Sequence, residues 1–253
     1  MESSFAGVIS EIDQWLKRAQ LRGTTMKAEI HEIQRFRNQY HVFQDRFEGG
    51  DVLARMLDPV YQDQDVMVLA IPSGGVPVGI RISEHLQAPM DLIIVRKLQM
   101  PGNPEAGFGA MTQEGSVFLN ERLLTHFDIP EPDIEAETRR VRQELNRRND
   151  AFRKGKPFPD LSEKRVILVD DGLASGFTML ASIHMVEKRR AREIVIAVPT
   201  APQRTIDQMQ DAVHHIYCPN IREAHSFAVA EAYEHWYDLD EQEVKSLLSN
   251  YER

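Results

Sequence analysis

The hydrophobic pattern of this chain changes character near residue 65. Upstream, Phe5, Val8, Ile9, Ile12, Trp15 and Leu16 recur at helical spacing. Met26, Ile30, Ile33, Phe36 and Tyr40 then fall on one face of a second helical segment. Gly23, Thr24 and Thr25 between the two supply stop and start signals, so residues 1–40 are expected to be a helical extension. Downstream, short β-branched runs alternate with helical stretches. Residues 66–71, 91–96, 165–170, 193–198 and 212–217 are expected strands, with 116–120 a further one. Residues 76–86, 178–189 and 202–210 are expected helices. Near-continuous apolar strands separated by helices predict an α/β domain over 41–253, built on a mainly parallel, doubly wound sheet. In such sheets ligands gather beyond the carboxyl ends of the strands. Residues 130–154, rich in Glu and Arg and poor in apolar residues, are expected to form a largely solvated helix. Residues 100–115 carry Pro101, Gly102, Pro104, Gly107, Gly109 and Gly115, and are expected to be a loop, either a lid or plain surface.

The stretch 166–178, Val-Ile-Leu-Val-Asp-Asp-Gly-Leu-Ala-Ser-Gly-Phe-Thr, combines four features. An apolar strand ends in Asp170 and Asp171, small residues and hydroxyls follow, and a helix begins. Ionised carboxylates accept hydrogen bonds from sugar hydroxyls and are hard oxygen ligands for Mg²⁺. Gly172, Ala174 and Gly176 allow successive backbone N–H groups to point at an anion. Ser175 and Thr178 add hydroxyl donors, and the positive end of the helix that starts near Phe177 aims at the same point. A sugar phosphate satisfies both halves of this arrangement.

Three rival readings meet the same residues. A Walker loop requires Gly-Lys-Ser/Thr, and no lysine is present. A methyltransferase loop expects another acid at the end of the next strand, where this chain has Val198-Pro-Thr-Ala. A plain strand-to-helix turn explains the small residues but not two acids at a buried strand end, where uncompensated charge is costly.

Composition narrows the classes. An apolar fraction of 42% and a charged fraction of 27% over 253 residues are ordinary for a globular protein. A net charge of −9 argues against broad binding of nucleic acid or anionic membrane. One cysteine excludes an internal disulfide framework. With Glu2 at the start and no long apolar run, no signal peptide or membrane span is visible, and a cytoplasmic location is expected.

The Val-Asp-Asp-Gly-Leu-Ala-Ser-Gly-Phe-Thr segment resembles the phosphoribosyl pyrophosphate (PRPP) motif of type I phosphoribosyltransferases. The resemblance extends to a group of predicted phosphoribosyltransferases of unsettled substrate. It runs through Phe43-Gln-Asp-Arg-Phe-Glu-Gly-Gly-Asp-Val-Leu-Ala54, Ile71-Pro-Ser-Gly-Gly-Val-Pro-Val78, Val95-Arg-Lys97, Pro101-Gly-Asn-Pro-Glu105 and Phe227-Ala-Val229. It covers about residues 41 to 240 and leaves the N-terminal segment outside.

The resemblance implies a fold of that kind with a small hood contributed by the ends of the 41–253 domain, and an Mg²⁺-dependent transfer of the phosphoribosyl group to a nitrogen nucleophile. That nucleophile would be a nucleobase or a related compound, and pyrophosphate would leave. It implies that Asp170 and Asp171 hold ribose and metal, and that 172 and 174–178 hold the 5-phosphate. Ser73, Gly74, Gly75 and Lys97 would hold pyrophosphate, with Lys97 and Glu105 as further catalytic candidates. Where this chain has Ser73, members of the family often carry Arg, which shifts weight to Lys97. Hypoxanthine-type enzymes place an Asp base where this chain has Ala174, so a 6-oxopurine assisted in that way is not expected. Aromatics at Phe227, Tyr233 and Trp236 either stack on a base or pack a helix. A non-catalytic PRPP- or nucleotide-sensing regulator is the alternative, and the N-terminal helices offer a surface for a homo-oligomer.

The other candidates are slight. His214 and His215 are adjacent in an expected strand and face opposite ways, which is poor for a shared metal. Cys218 with His225 reads better as a buried thiol than as a nucleophile pair.

Overall fold

The computed structural model describes residues 27–251, apart from His225 and a few side chains. The first expected helix, near residues 5–16, lies outside the described residues. In chain order the elements are β1 (Glu29–His31), α1 (Arg46–Tyr61), β2 (Val66–Ala70), α2 (Gly75–Leu86), β3 (Met90–Leu92), β4 (Val95–Met100), β5 (Asn103–Thr112), β6 (Val117–Leu119), α3 (Glu121–His126) and α4 (Glu131–Arg153). They continue with β7 (Arg165–Val169), α5 (Phe177–Lys188), β8 (Glu193–Ala197), β9 (Thr200–Pro202), α6 (Gln203–Met209), β10 (His215–Tyr217), β11 (Asn220–Arg222) and α7 (Glu241–Tyr251).

Six strands form an all-parallel sheet in the order β1-β10-β8-β7-β2-β3. The inner strands are apolar at almost every position, because both faces are covered. Leu69, Val166, Leu168 and Ile196 pack with Met179 and Ile183 of α5 on one face. Val68, Ile167, Val169 and Val195 pack with Leu53 and Leu57 of α1 and with Val78 and Ile82 of α2 on the other. The expected α/β, doubly wound class is therefore the observed one.

Four expectations need correction. Residues 29–31 are not helical: they form an edge strand paired in parallel with β10, followed by a 3₁₀ turn at Gln34–Phe36. Period-2 pairing to a distant strand outweighs the local helical spacing. The single strand expected at 91–96 is two strands in two sheets, since Ile93 and Ile94, both buried, carry the chain around a corner. Residues 100–115 are not a loop: β5 pairs antiparallel with β4 and β6 in a separate three-stranded sheet. Glycine serves close strand contact here, since a Cβ on Gly107 would collide with the Lys97 stem and one on Gly109 with the Phe118 carbonyl. Helix α4 is charged outside yet buries Ile134, Val141, Leu145 and Phe152 against this three-stranded sheet. Its last residue, Arg153, is buried and donates to the Asp91 carboxylate at 2.7 Å and the Leu92 carbonyl at 2.9 Å, fastening the helix to β3.

Candidate functional site

Strands β2 and β7 are neighbours, but the chain leaves them in opposite directions. After β2 it winds outward to β3, and after β7 it winds to β8 and then β10. A crevice opens at such a reversal, between the loops that follow the two strands. Both stretches singled out in the sequence lie there.

The first loop, residues 71–75, is anchored where the Ile71 N–H donates to the Val169 carbonyl at 2.8 Å. The Pro72–Ser73 peptide is cis. A Cβ on Gly74 would fall inside the Asp171 carboxylate, and one on Gly75 would lie 2.6 Å from the Val169 carbonyl oxygen. The two glycines therefore let this turn pack directly on the strand end that carries the acid pair.

The second loop, residues 170–176, is held from beneath. The Leu173 N–H donates to the Thr200 carbonyl at 3.0 Å, and the Thr205 hydroxyl donates to the Ala174 carbonyl at 2.7 Å. Gly176 has a φ of +79°, and a side chain there would meet the Met209 methyl and Thr205. Gly176 is also the N-cap of α5, so no side chain caps that helix. Its first N–H groups, with the positive end of the helix dipole behind them, suit an anion.

The acid pair occupies contrasting surroundings. The Asp170 carboxylate accepts the Asp171 N–H at 2.9 Å and keeps lone pairs to spare. Asp171 Oδ2 accepts from Arg46 Nε at 2.8 Å. Arg46 is itself buried at the start of α1, donates to the Tyr237 carbonyl at 2.9 Å and lies 3.8 Å from the centre of the Trp236 ring. The Tyr233 hydroxyl donates to the Asp171 carbonyl at 2.6 Å. Burial, then the charge of Asp171, pushes the Asp170 carboxyl well above the usual carboxylate range. Burial also raises Asp171, against the opposing pull of Arg46. A pair of desolvated oxygen ligands with one guanidinium beside them fits a hard divalent cation, more directly at Asp170 than at Asp171.

Among the expected site residues, Lys97, Asp170, Gly172, Ala174, Ser175, Gly176 and Thr178 line one cavity of about 260 Å³. Ser73, Gly74, Gly75, Asp171 and Phe177 are not in its wall, and Gly74 and Asp171 pack against each other beside it. Lys97 reaches the cavity from β4, its stem crossing Gly107. Glu105 falls on β5, and its side chain lies outside the described residues. A larger cavity of about 380 Å³ opens on the far side of Arg46, against α7. It contains no residue of either loop, so the smaller cavity is the one with the chemistry.

Arg46 was not foreseen as a site residue, although it stands within the stretch 43–54 that carries the resemblance. Tyr233 and Trp236 serve the site from behind, through Asp171 and Arg46. Phe227 instead lies near the Arg222 guanidinium, 5.6 Å from ring centre to cation. Cys218 is buried, and burial pushes its thiol up, which suits packing and not nucleophilic attack. His225 lies outside the described residues. No described helix is long and apolar enough to cross a membrane.

Residues 44–238 match the family model for the phosphoribosyl transferase domain. Two curated proteins of Mycobacterium tuberculosis, from strains H37Rv and CDC 1551, bear provisional phosphoribosyl transferase names. Each is 34% identical to this chain over 214 residues, which is 84% of this chain and 47% of the relative. The chain thus spans about half the length of the curated relatives it matches. A crystal structure of a Thermus thermophilus protein is similar in fold, with a TM-score of 0.67 and 29% identity. That match covers 83% of this chain and 98% of the other.

Proposed function

From the premise that this chain belongs to the phosphoribosyl transferase domain family, we propose that it transfers the 5-phosphoribosyl group of PRPP to a nitrogen nucleophile. The observation that carries this reading is the meeting of the two loops at the β2–β7 reversal, where Gly74 and Gly75 pack on the strand end bearing Asp170 and Asp171.

In the proposed reaction the bond between C1′ and the pyrophosphate oxygen breaks and a bond from the acceptor nitrogen to C1′ forms. Pyrophosphate takes the electron pair, and the nitrogen gives up a proton. The N–H groups at the start of α5, with Ser175 and Thr178, would hold the 5-phosphate. Asp170, facing the cavity, would accept from the ribose hydroxyls and favour positive charge on the sugar ring. Asp171, fixed by Arg46 and Tyr233, would set the backbone of the turn. Lys97 and the 73–75 turn would receive the pyrophosphate. Mg²⁺ held by Asp170, with Asp171 beside it, would neutralise charge growing on the leaving group. The acceptor is a nucleobase or a related nitrogen compound.

The test is pyrophosphate release from PRPP and Mg²⁺ across a panel of nucleobases and amines, with products identified by mass. One acceptor is expected to yield a ribosylated product. Asp170→Asn or Lys97→Met should lower kcat/KM by roughly 10²–10³. PRPP binding with no release for any acceptor would contradict the transferase reading.

A further inference from the structure

At the sheet edge farthest from β3, the parallel register sets Glu29 opposite His215 and His31 opposite Tyr217. Strand alternation puts all four side chains on one face. His31 Nε2 lies 3.3 Å from His215 Nδ1, and Glu29 Oε2 lies 3.8 Å from the former nitrogen and 3.5 Å from the latter. Among the described residues, this is the one trio of His, Cys, Asp or Glu whose donor atoms all fall within 4.8 Å of one another.

These separations have a metal-like scale. Ligand nitrogens at the usual Zn–N distance in tetrahedral geometry stand about 3.3–3.4 Å apart. The two imidazole nitrogens already meet that value. The carboxylate is a few tenths of an ångström wide of it, and Glu29 is exposed enough to swing inward. Without a cation, one of the two facing imidazoles must present its N–H to the other. With one, the two rings need only turn so that both nitrogens aim lone pairs at a cation beside the line that joins them. Further partners surround the trio. His215 turns its other nitrogen, Nε2, toward Glu193 Oε1 at 3.8 Å, and that oxygen accepts the Tyr61 hydroxyl at 2.7 Å. Arg165 holds the second Glu193 oxygen at 2.9 Å. The His31 ring stacks on Tyr217, with centroids 4.2 Å apart. At that distance Glu193 is a charge partner of His215 and not a hydrogen-bond acceptor, while the Tyr217 stack fixes the His31 ring plane, as the supports of metal-ligating imidazoles do.

We propose that Glu29, His31 and His215 form a zinc-binding site that clips β1 onto the sheet. Two imidazoles and one carboxylate are the ligand set of open, three-residue Zn²⁺ sites, with water at the fourth vertex. The site is remote from the PRPP loops. Glu29, His215 and Glu193 are the first residues of their strands, whereas the loops follow the last residues of β2 and β7. Glu29 and His31 also lie outside residues 44–238, so the clip joins the N-terminal segment to the family domain. The inference does not depend on the transferase reading.

The test is calorimetric titration of the metal-free full chain with Zn²⁺, together with the visible spectrum of its Co²⁺ form. The wild type is expected to bind one Zn²⁺ per chain, to give intense tetrahedral Co²⁺ bands, and to melt at a higher temperature with Zn²⁺. His31→Ala and His215→Ala should each weaken binding at least tenfold and remove the bands. Glu29→Gln, a change at an exposed position that cannot disturb the core, should weaken binding and alter the bands. Asp170→Asn should leave them intact. Failure of the wild type to bind a stoichiometric Zn²⁺, or binding unchanged in both histidine variants and in Glu29→Gln, would overturn the proposal.

Discussion

Burial places the Asp170 carboxyl above its ordinary range, so the folded chain holds a proton there more readily than the unfolded chain. Between the ordinary carboxylate range and the raised value, the native state therefore binds more protons, and stability falls as pH rises through that window. Asp170→Asn removes the ionisation, and urea unfolding at neutral pH should find it more stable than the wild type while activity is lost. A lower stability for Asp170→Asn would mean that the charge is compensated within the fold. Arg46 carries the reverse expectation. Arg46→Ala strips the largely but not fully buried Asp171 of its partner, and a cost of about 3 kcal/mol, the lower end for a buried pair, is expected in denaturant unfolding. Asp170, Gly172 and Gly176 were legible in the sequence because their chemistry is contiguous. Arg46 was not, because it meets Asp171 across 125 residues. The Glu29–His31–His215 cluster was hidden for the same reason, its histidines being 184 positions apart in the chain.

Elements set by their own periodicity were legible: β2, α2, β7, α5, β8 and α6 match their expected spans within a residue or two. Those set by distant partners were not. Strand β1 has only three residues and owes its form to β10. The glycines of β5 look like loop residues until the Lys97 stem and the Phe118 carbonyl are brought against them. Helix α4 looked solvated because its apolar residues are sparse, yet those few form one buried stripe. Leu145→Ala should accordingly cost about 2–4 kcal/mol in thermal or urea unfolding. Arg139→Ala, on the exposed face of the same helix, should stay within about 0.5 kcal/mol. Equal, small effects from both would return α4 to the solvated reading.

For the whole molecule, a net charge of −9 and the proposed anionic ligand are compatible because recognition would be local. In the proposed complex the helix end of α5, Lys97 and the backbone of the two loops would supply donors to the anion, while Asp170 would meet the ribose hydroxyls and the metal. The sheet order explains why that edge was chosen, since the reversal between β2 and β7 sets two post-strand loops facing each other across a crevice. The proposed zinc clip lies at the opposite ends of the strands, so loss of zinc should lower the melting temperature without changing affinity for PRPP. The central claim is that the β2–β7 crevice is a PRPP site, and titration calorimetry with PRPP and Mg²⁺ tests it most directly. The wild type is predicted to bind one PRPP per chain, and the folded Asp170→Asn/Asp171→Asn variant to bind at least tenfold more weakly. Absence of binding by the wild type, or equal affinity in the variant, would contradict it.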